Sequence, residues 1–157
     1  MKATTAEIEN VLHLLAETPR RLSTMCRSLS HTQLQHKPDD KSWSANDILA
    51  HLRACADVWG DSIEAMLAQD KPALPHLSPR TYIRKTDYPQ LDFHESLPAF
   101  AQQRCQLLNM LNNLERADWS RAAMIKERQH TIFTQARRMA HHEITHCEQL
   151  EALVKKL

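Results

Sequence analysis

A single glycine, Gly60, in 157 residues is the tightest constraint this chain offers. Tight β-turns need residues that accept positive φ, and glycine is the usual one. A sheet-rich fold of this length would need several. Alanine, leucine, arginine, glutamate and glutamine are abundant instead, and all are good helix formers. The composition therefore predicts an all-α chain. Its length fits one domain, residues 1–157, long enough to bury a core.

Helical periodicity marks four long segments. The first covers about residues 5–29, with Ile8, Val11, Leu15, Leu22, Met25 and Leu29 on one stripe. Pro19 falls inside it, which predicts a kink or a locally lost hydrogen bond. Residues 30–42 are a polar link with room for one helical turn at 31–34. The second helix starts after Ser44, an N-cap whose box Asp47 can complete, and Trp43 stands where a hydrophobic staple would. Its stripe is Ile48, Leu52, Cys55, Val58, Trp59, Ile63 and Met66, and His51 lies on it.

Residues 72–91 hold Pro72, Pro75, Pro79 and Pro89 and read as irregular. So long a connection suits a crossover that lets helices two and three run parallel. The third helix covers about residues 92–114. Pro98 is tolerable only near a helix start, which allows a start as late as Leu97. Arg104 sits on its apolar seam, where it must snorkel out or meet a carboxylate inside the bundle. Residues 115–130 form a link whose Trp119 covers one end of the core, and the fourth helix covers about residues 131–155.

The net charge of +1 gives no global field for nucleic acid. Arg20-Arg21 and Arg137-Arg138 lack interleaved aromatics and read as solvated helix faces. No apolar run reaches 18 residues, so no membrane span is expected. Residues 1–15 have no signal-peptide pattern. Cys26, Cys55, Cys105 and Cys147 are scattered, which predicts reduced thiols in the cytoplasm.

The last helix carries His142-Glu143-x-x-His146. Residues four apart share a helix face, so the two imidazoles can grip one ion from one side. His51, on the second helix, is the third histidine on an apolar stripe. Facing helices pack 8–10 Å apart, close enough for side chains of both to converge. Three imidazoles with open positions are the catalytic rather than the structural pattern for zinc. The plainer reading is three hydrogen-bonded core histidines. The same motif occurs in zinc peptidases, with the glutamate as base. That reading lacks a ligand downstream: no His or Asp follows His146, and Glu148 and Glu151 are too near it. Cys55, one turn from His51, reads as a buried thiol that can approach the site.

Three stretches together resemble a known family. Trp43-Ser44-Ala45-Asn46-Asp47-Ile48-Leu49-Ala50-His51-Leu52 is similar to the opening signature of the DinB-like (YfiT-like) superfamily. Phe100-x-x-x-Arg104 with Leu107-Leu108 and Asp118-Trp119 resembles its middle. Ala140-His141-His142-Glu143-x-x-His146-x-x-Gln149-Leu150 resembles its close. The resemblance implies an up-down-down-up four-helix bundle, often dimeric, with a divalent metal on His51, His142 and His146. It also implies thiol-dependent transferases or isomerases among the relatives. Relatives often carry a glycine before the last helix, where this chain reads Lys126-Glu127-Arg128-Gln129-His130.

The expectation is thus a metal-dependent enzyme, a thiol-dependent transferase or a hydrolase, acting on a small electrophile. Zinc or nickel is the expected metal, iron or manganese the alternatives, with a low-molecular-weight thiol as cosubstrate in the transferase reading. Glu143 is the candidate base, and Arg104, Gln149 and Cys55 are candidates to orient ligands or line the pocket. A homodimer is expected, without nucleic-acid or membrane partners. The alternative is a non-catalytic metal-binding protein of stress response or interaction.

Overall fold

The computed structural model describes residues 2–157. Four long helices dominate it: α1 (Thr5–Cys26), α3 (Ala45–Ala68), α5 (Phe93–Asn112) and α6 (Ile132–Val154). Between them lie α2 (His31–Gln35), strand β1 (Ala73–Leu74), the single turn α4 (Pro79–Tyr82), three 3₁₀ turns, and strands β2 (Ala122–Ile125) and β3 (Arg128–Thr131).

Local chemistry fixes the helix starts. Reciprocal capping boxes open α1 (Thr4 and Glu7), α2 (Ser30 and Gln33), α3 (Ser44 and Asp47) and α6 (Thr131 and Thr134). Asp92 caps α5 by accepting from the His94 N–H at 2.9 Å. That cap sets the start at Phe93 rather than Leu97. Pro98 is tolerated because it and His94 are exposed, so water can reach the carbonyl it leaves free.

The long helices pack in a ring: α1 against α5 and α6, and α3 against α5 and α6. Two apolar clusters fill it. One holds Val11, Leu15, Trp59, Ile63, Leu111 and Met139; the other holds Leu22, Leu34, Leu52, Phe93, Phe100 and Leu150. On three helices the change of cluster falls at a buried polar residue: Thr18 on α1, Arg104 on α5 and Glu143 on α6.

Those three residues bond to one another. The Arg104 guanidinium meets both Glu143 oxygens, one through Nη1 at 2.8 Å and the other through Nη2. Thr18 Oγ1 donates to the same carboxylate at 2.6 Å. Arg104 Nη1 also donates to the Leu15 carbonyl at 2.9 Å. That carbonyl is the one Pro19, four residues on, has no N–H to reach. The proline thus leaves α1 unbroken and exposes an acceptor where a buried cation needs one.

The expectation of a wholly α chain needs one correction. The two links contribute a small sheet of order β1-β2-β3, with β1 parallel and β3 antiparallel to β2. Strands of two to four residues are too short to show a period of two. Their hairpin also lacks its signal: Lys126 (φ 52°) and Glu127 (φ 63°) both take left-handed backbone without a glycine. Arg121 ties the sheet to α3, donating to the carbonyls of Met66 (2.7 Å) and Leu67 and Gln69 (3.2 Å each) at that helix's C-terminal end.

Residues 72–91 are ordered by side chains rather than by a long element. Asp57 on α3 accepts from Tyr82 Oη (3.0 Å), Tyr88 Oη (2.5 Å) and Gln103 Nε2 (2.5 Å). Arg53 lies over the Tyr88 ring, 4.0 Å from its centroid. This latch places α4 beside α3. No helix among the described residues is long and apolar enough to cross a membrane.

Candidate metal centre

The Ser44 box starts α3 in register, and seven residues later His51 turns inward. On α6, His142 and His146 lie one turn apart and face it. His142 Nε2 is 2.9 Å from His51 Nε2 and 3.1 Å from His146 Nε2. One ring nitrogen from each histidine lies within 4.8 Å of the others. Two aromatic rings wall the group. Trp43 stacks on His146 (centroids 5.7 Å, 11° between planes) and leans on His51, while Trp59 meets His142 edge-on at 5.1 Å.

The donor chemistry suits a cation. Burial pushes the pKa of His51 and His142 down to about 4, with neighbouring histidines adding to it, and burial lowers that of His146 too. All three rings are therefore neutral at pH 7, with lone pairs available. Gln149 Oε1 lies 2.8 Å from His146 Nδ1. A carbonyl oxygen only accepts, so Nδ1 carries the proton and Nε2 presents its lone pair to the cluster. Three converging Nε2 atoms are poorly served by hydrogen bonds among themselves; a divalent ion serves all three.

The other sequence candidates divide. Gln149 touches His146 and faces the cluster. Cys55 lies beside it, its Sγ 3.5 Å from His51 Nε2 and 3.6 Å from His142 Nε2. Burial pushes that thiol up to about 12, so it is protonated. Arg104 and Glu143 are drawn to each other. Glu143 is 1% exposed, with both oxygens held by Arg104 and one also by Thr18. His141 is exposed on the outer face of α6.

Two open cavities meet at Trp43. One, of about 590 Å³, is lined by His146, Gln149, Arg80, Lys41 and Lys156 among others. A smaller one, of about 260 Å³, reaches His51 from the other side. Sequence reasoning assigned Trp43 to a staple and gave Arg80 no role. Trp43 had a readable signal, a large aromatic eight residues before a candidate ligand; Arg80, in a proline-rich link, had none.

No curated protein matches significantly. Among solved structures, YfiT from Bacillus subtilis, described as a probable metal-dependent hydrolase with an unusual four-helix bundle topology, superposes with a TM-score of 0.81. It is 16% identical, and the alignment covers 99% of this chain and 90% of that one. At that identity the likeness establishes a shared four-helix-bundle fold. The family model of the DinB superfamily matches residues 14–150, and the chain belongs to that superfamily.

Proposed function

We propose that His51, His142 and His146 hold a divalent metal, zinc or nickel, and that the protein is a metal-dependent enzyme acting on a small electrophile. The convergence of three neutral Nε2 atoms beside an open cavity carries this reading. YfiT, described as a probable metal-dependent hydrolase, favours hydrolysis; a low-molecular-weight thiol is the alternative nucleophile. A metal in such a site polarises a substrate oxygen and lowers the pKa of a water or thiol.

The chain's own residues prepare for that chemistry. Gln149 fixes the His146 tautomer. Trp43 and Trp59 pack on the His146 and His142 rings and hold their planes. Glu143 acts in the ion pair with Arg104 rather than as a base. We further propose that the bundle is a single domain running up-down-down-up, with residues 69–92 as the crossover. In support, α1 and α6 run from the Leu15 cluster to the Leu22 cluster, while α3 and α5 run the other way.

Elemental analysis of the purified protein and of its His51→Ala and His146→Ala variants tests the metal. Loss in both variants is expected; unchanged content in both rules the site out. A second reading, a closed metal site in a non-catalytic protein, draws on the nearness of Cys55. Cobalt loading separates the two: a thiolate-to-cobalt absorption band lost in Cys55→Ala favours the closed site. Hydrolysis of activated esters, with and without added thiol, then assigns the nucleophile.

A further inference from the structure

The 590 Å³ cavity in front of His146 has a one-sided charge. Lys41, Arg80 and Lys156 line it, and no carboxylate does. The chain as a whole is nearly balanced, with 20 basic and 19 acidic residues, so this wall is a local feature. Arg80 also lines the smaller cavity that reaches His51. Its positive field acts on all three imidazoles.

The neighbouring acids are already occupied. Lys37 pairs with Asp47 at 3.1 Å, and Asp47 also serves the Ser44 cap. Asp39, which senses Lys156, accepts from the Lys41 backbone N–H and the Ser42 hydroxyl. Among the described residues, Arg80 has no ion pair, and its guanidinium makes no hydrogen bond. The Tyr82 and Tyr88 bonds to Asp57 hold the segment that carries Arg80 against α3. A fixed backbone thus presents a free guanidinium at the mouth of the imidazole cluster.

We propose that the substrate carries a carboxylate or phosphate group, and that Arg80 binds it while the reacting end lies at the three histidines. A guanidinium offers paired N–H donors that match either anion, which an ammonium does not. Lys41 and Lys156 add attraction across the cavity without that geometry. The inference rests on the reading of the imidazole cluster as the reactive centre and names the class of molecule it takes.

The test is calorimetric titration of metal-loaded and metal-stripped protein with succinate, its uncharged analogue succinamide, and methyl phosphate. Wild type, Arg80→Ala and Arg80→Lys are compared, since Arg80 is exposed and its replacement leaves the core intact. An anion is expected to bind at least about tenfold tighter than succinamide, and Arg80→Ala to lower that affinity about tenfold or more, the size of one charge-assisted hydrogen-bonding group. Arg80→Lys should recover only part. Whichever of succinate and methyl phosphate binds tighter assigns the group. Equal binding of anions and succinamide, or a preference that survives Arg80→Ala, overturns the inference. Metal content of the same samples is read separately. Purified protein that takes up no metal on loading, yet still prefers an anion through Arg80, defeats the metal reading and leaves this one standing.

Discussion

Pro19 and Arg104 answer one another across the bundle: the proline withholds a helical N–H from the Leu15 carbonyl, and Arg104 supplies one at 2.9 Å. A proline inside a helix ordinarily costs about 3 kcal/mol relative to alanine. Here its absence would return a competing donor to the acceptor a buried guanidinium uses. Pro19→Ala should therefore stabilise the protein by less than about 1.5 kcal/mol, and by nearer 3 kcal/mol in an Arg104→Met background. Urea denaturation of the four proteins gives the coupling. Equal gains in both backgrounds would show that the two residues act independently.

The Arg104–Glu143 pair itself is 2% and 1% exposed. Removing one partner strands a buried charge, at a cost of about 3–5 kcal/mol, whereas replacing both with apolar residues is often close to neutral. Glu143→Gln should be strongly destabilising, and Arg104→Met with Glu143→Leu should lie within about 2 kcal/mol of the parent. Metal content per folded molecule should be unchanged in both. If Glu143→Gln kept full stability but abolished turnover, Glu143 would be a base after all.

Sequence reasoning left Glu143 open between a base and a residue that orients a ligand. The i, i+4 spacing of His142 and His146 reads directly as one face of a helix, and the Ser44 box fixes the register that turns His51 toward it. The seam position of Arg104 required a carboxylate or an escape to water. Nothing in the sequence says which carboxylate, because that depends on how α1, α5 and α6 meet. Glu143 lies next to the candidate ligand His142 in sequence, yet one step along a helix is about 100° of rotation, and it points into the seam. The places of Arg80 and Asp57 were hidden for the same reason: each depends on the path of the link between α3 and α5.

Gln149 should matter through His146 alone. Its Oε1 holds the Nδ1 proton, so Nε2 is presented in the right tautomer. Replacing such a partner typically costs 10–100-fold in metal affinity. Gln149→Leu should show that loss in chelator competition with unchanged stability of the metal-free protein, since Gln149 is exposed. Gln149→Glu should bind at least as tightly as wild type. Unaltered affinity in Gln149→Leu would remove Gln149 from the site.

The hairpin between β2 and β3 is built at a disadvantage. Lys126 and Glu127 both hold positive φ, which costs a non-glycine residue about 1–2 kcal/mol. Both side chains are exposed and, among the described residues, neither makes an ion pair. The double change Lys126→Asn, Glu127→Gly should therefore raise stability by about 1–2 kcal/mol without altering metal content. A neutral or destabilising result would mean that the two side chains contribute more than their exposure suggests.

Acid should act on the imidazole cluster before it reaches the carboxylates. In the unfolded chain these histidines protonate around 6.5, but in the fold His51 and His142 resist down to about 4 because they are buried and both lie beside His146. Between those values the unfolded state binds more protons, so stability falls as pH falls; above 6.5 neither state gains protons and the cluster contributes no slope. Carboxylates held down by hydrogen bonds, such as Asp39 with the Lys41 backbone N–H, lose their contribution only below their ordinary 3.8. Urea midpoints of metal-stripped protein should therefore decline from pH 6.5 to 4. His51→Ala with His142→Ala should flatten that decline. Saturating metal should raise the curve at neutral pH and steepen its acid limb, because protonated imidazole releases the ion. A decline unchanged in the double variant would place its origin elsewhere in the protein.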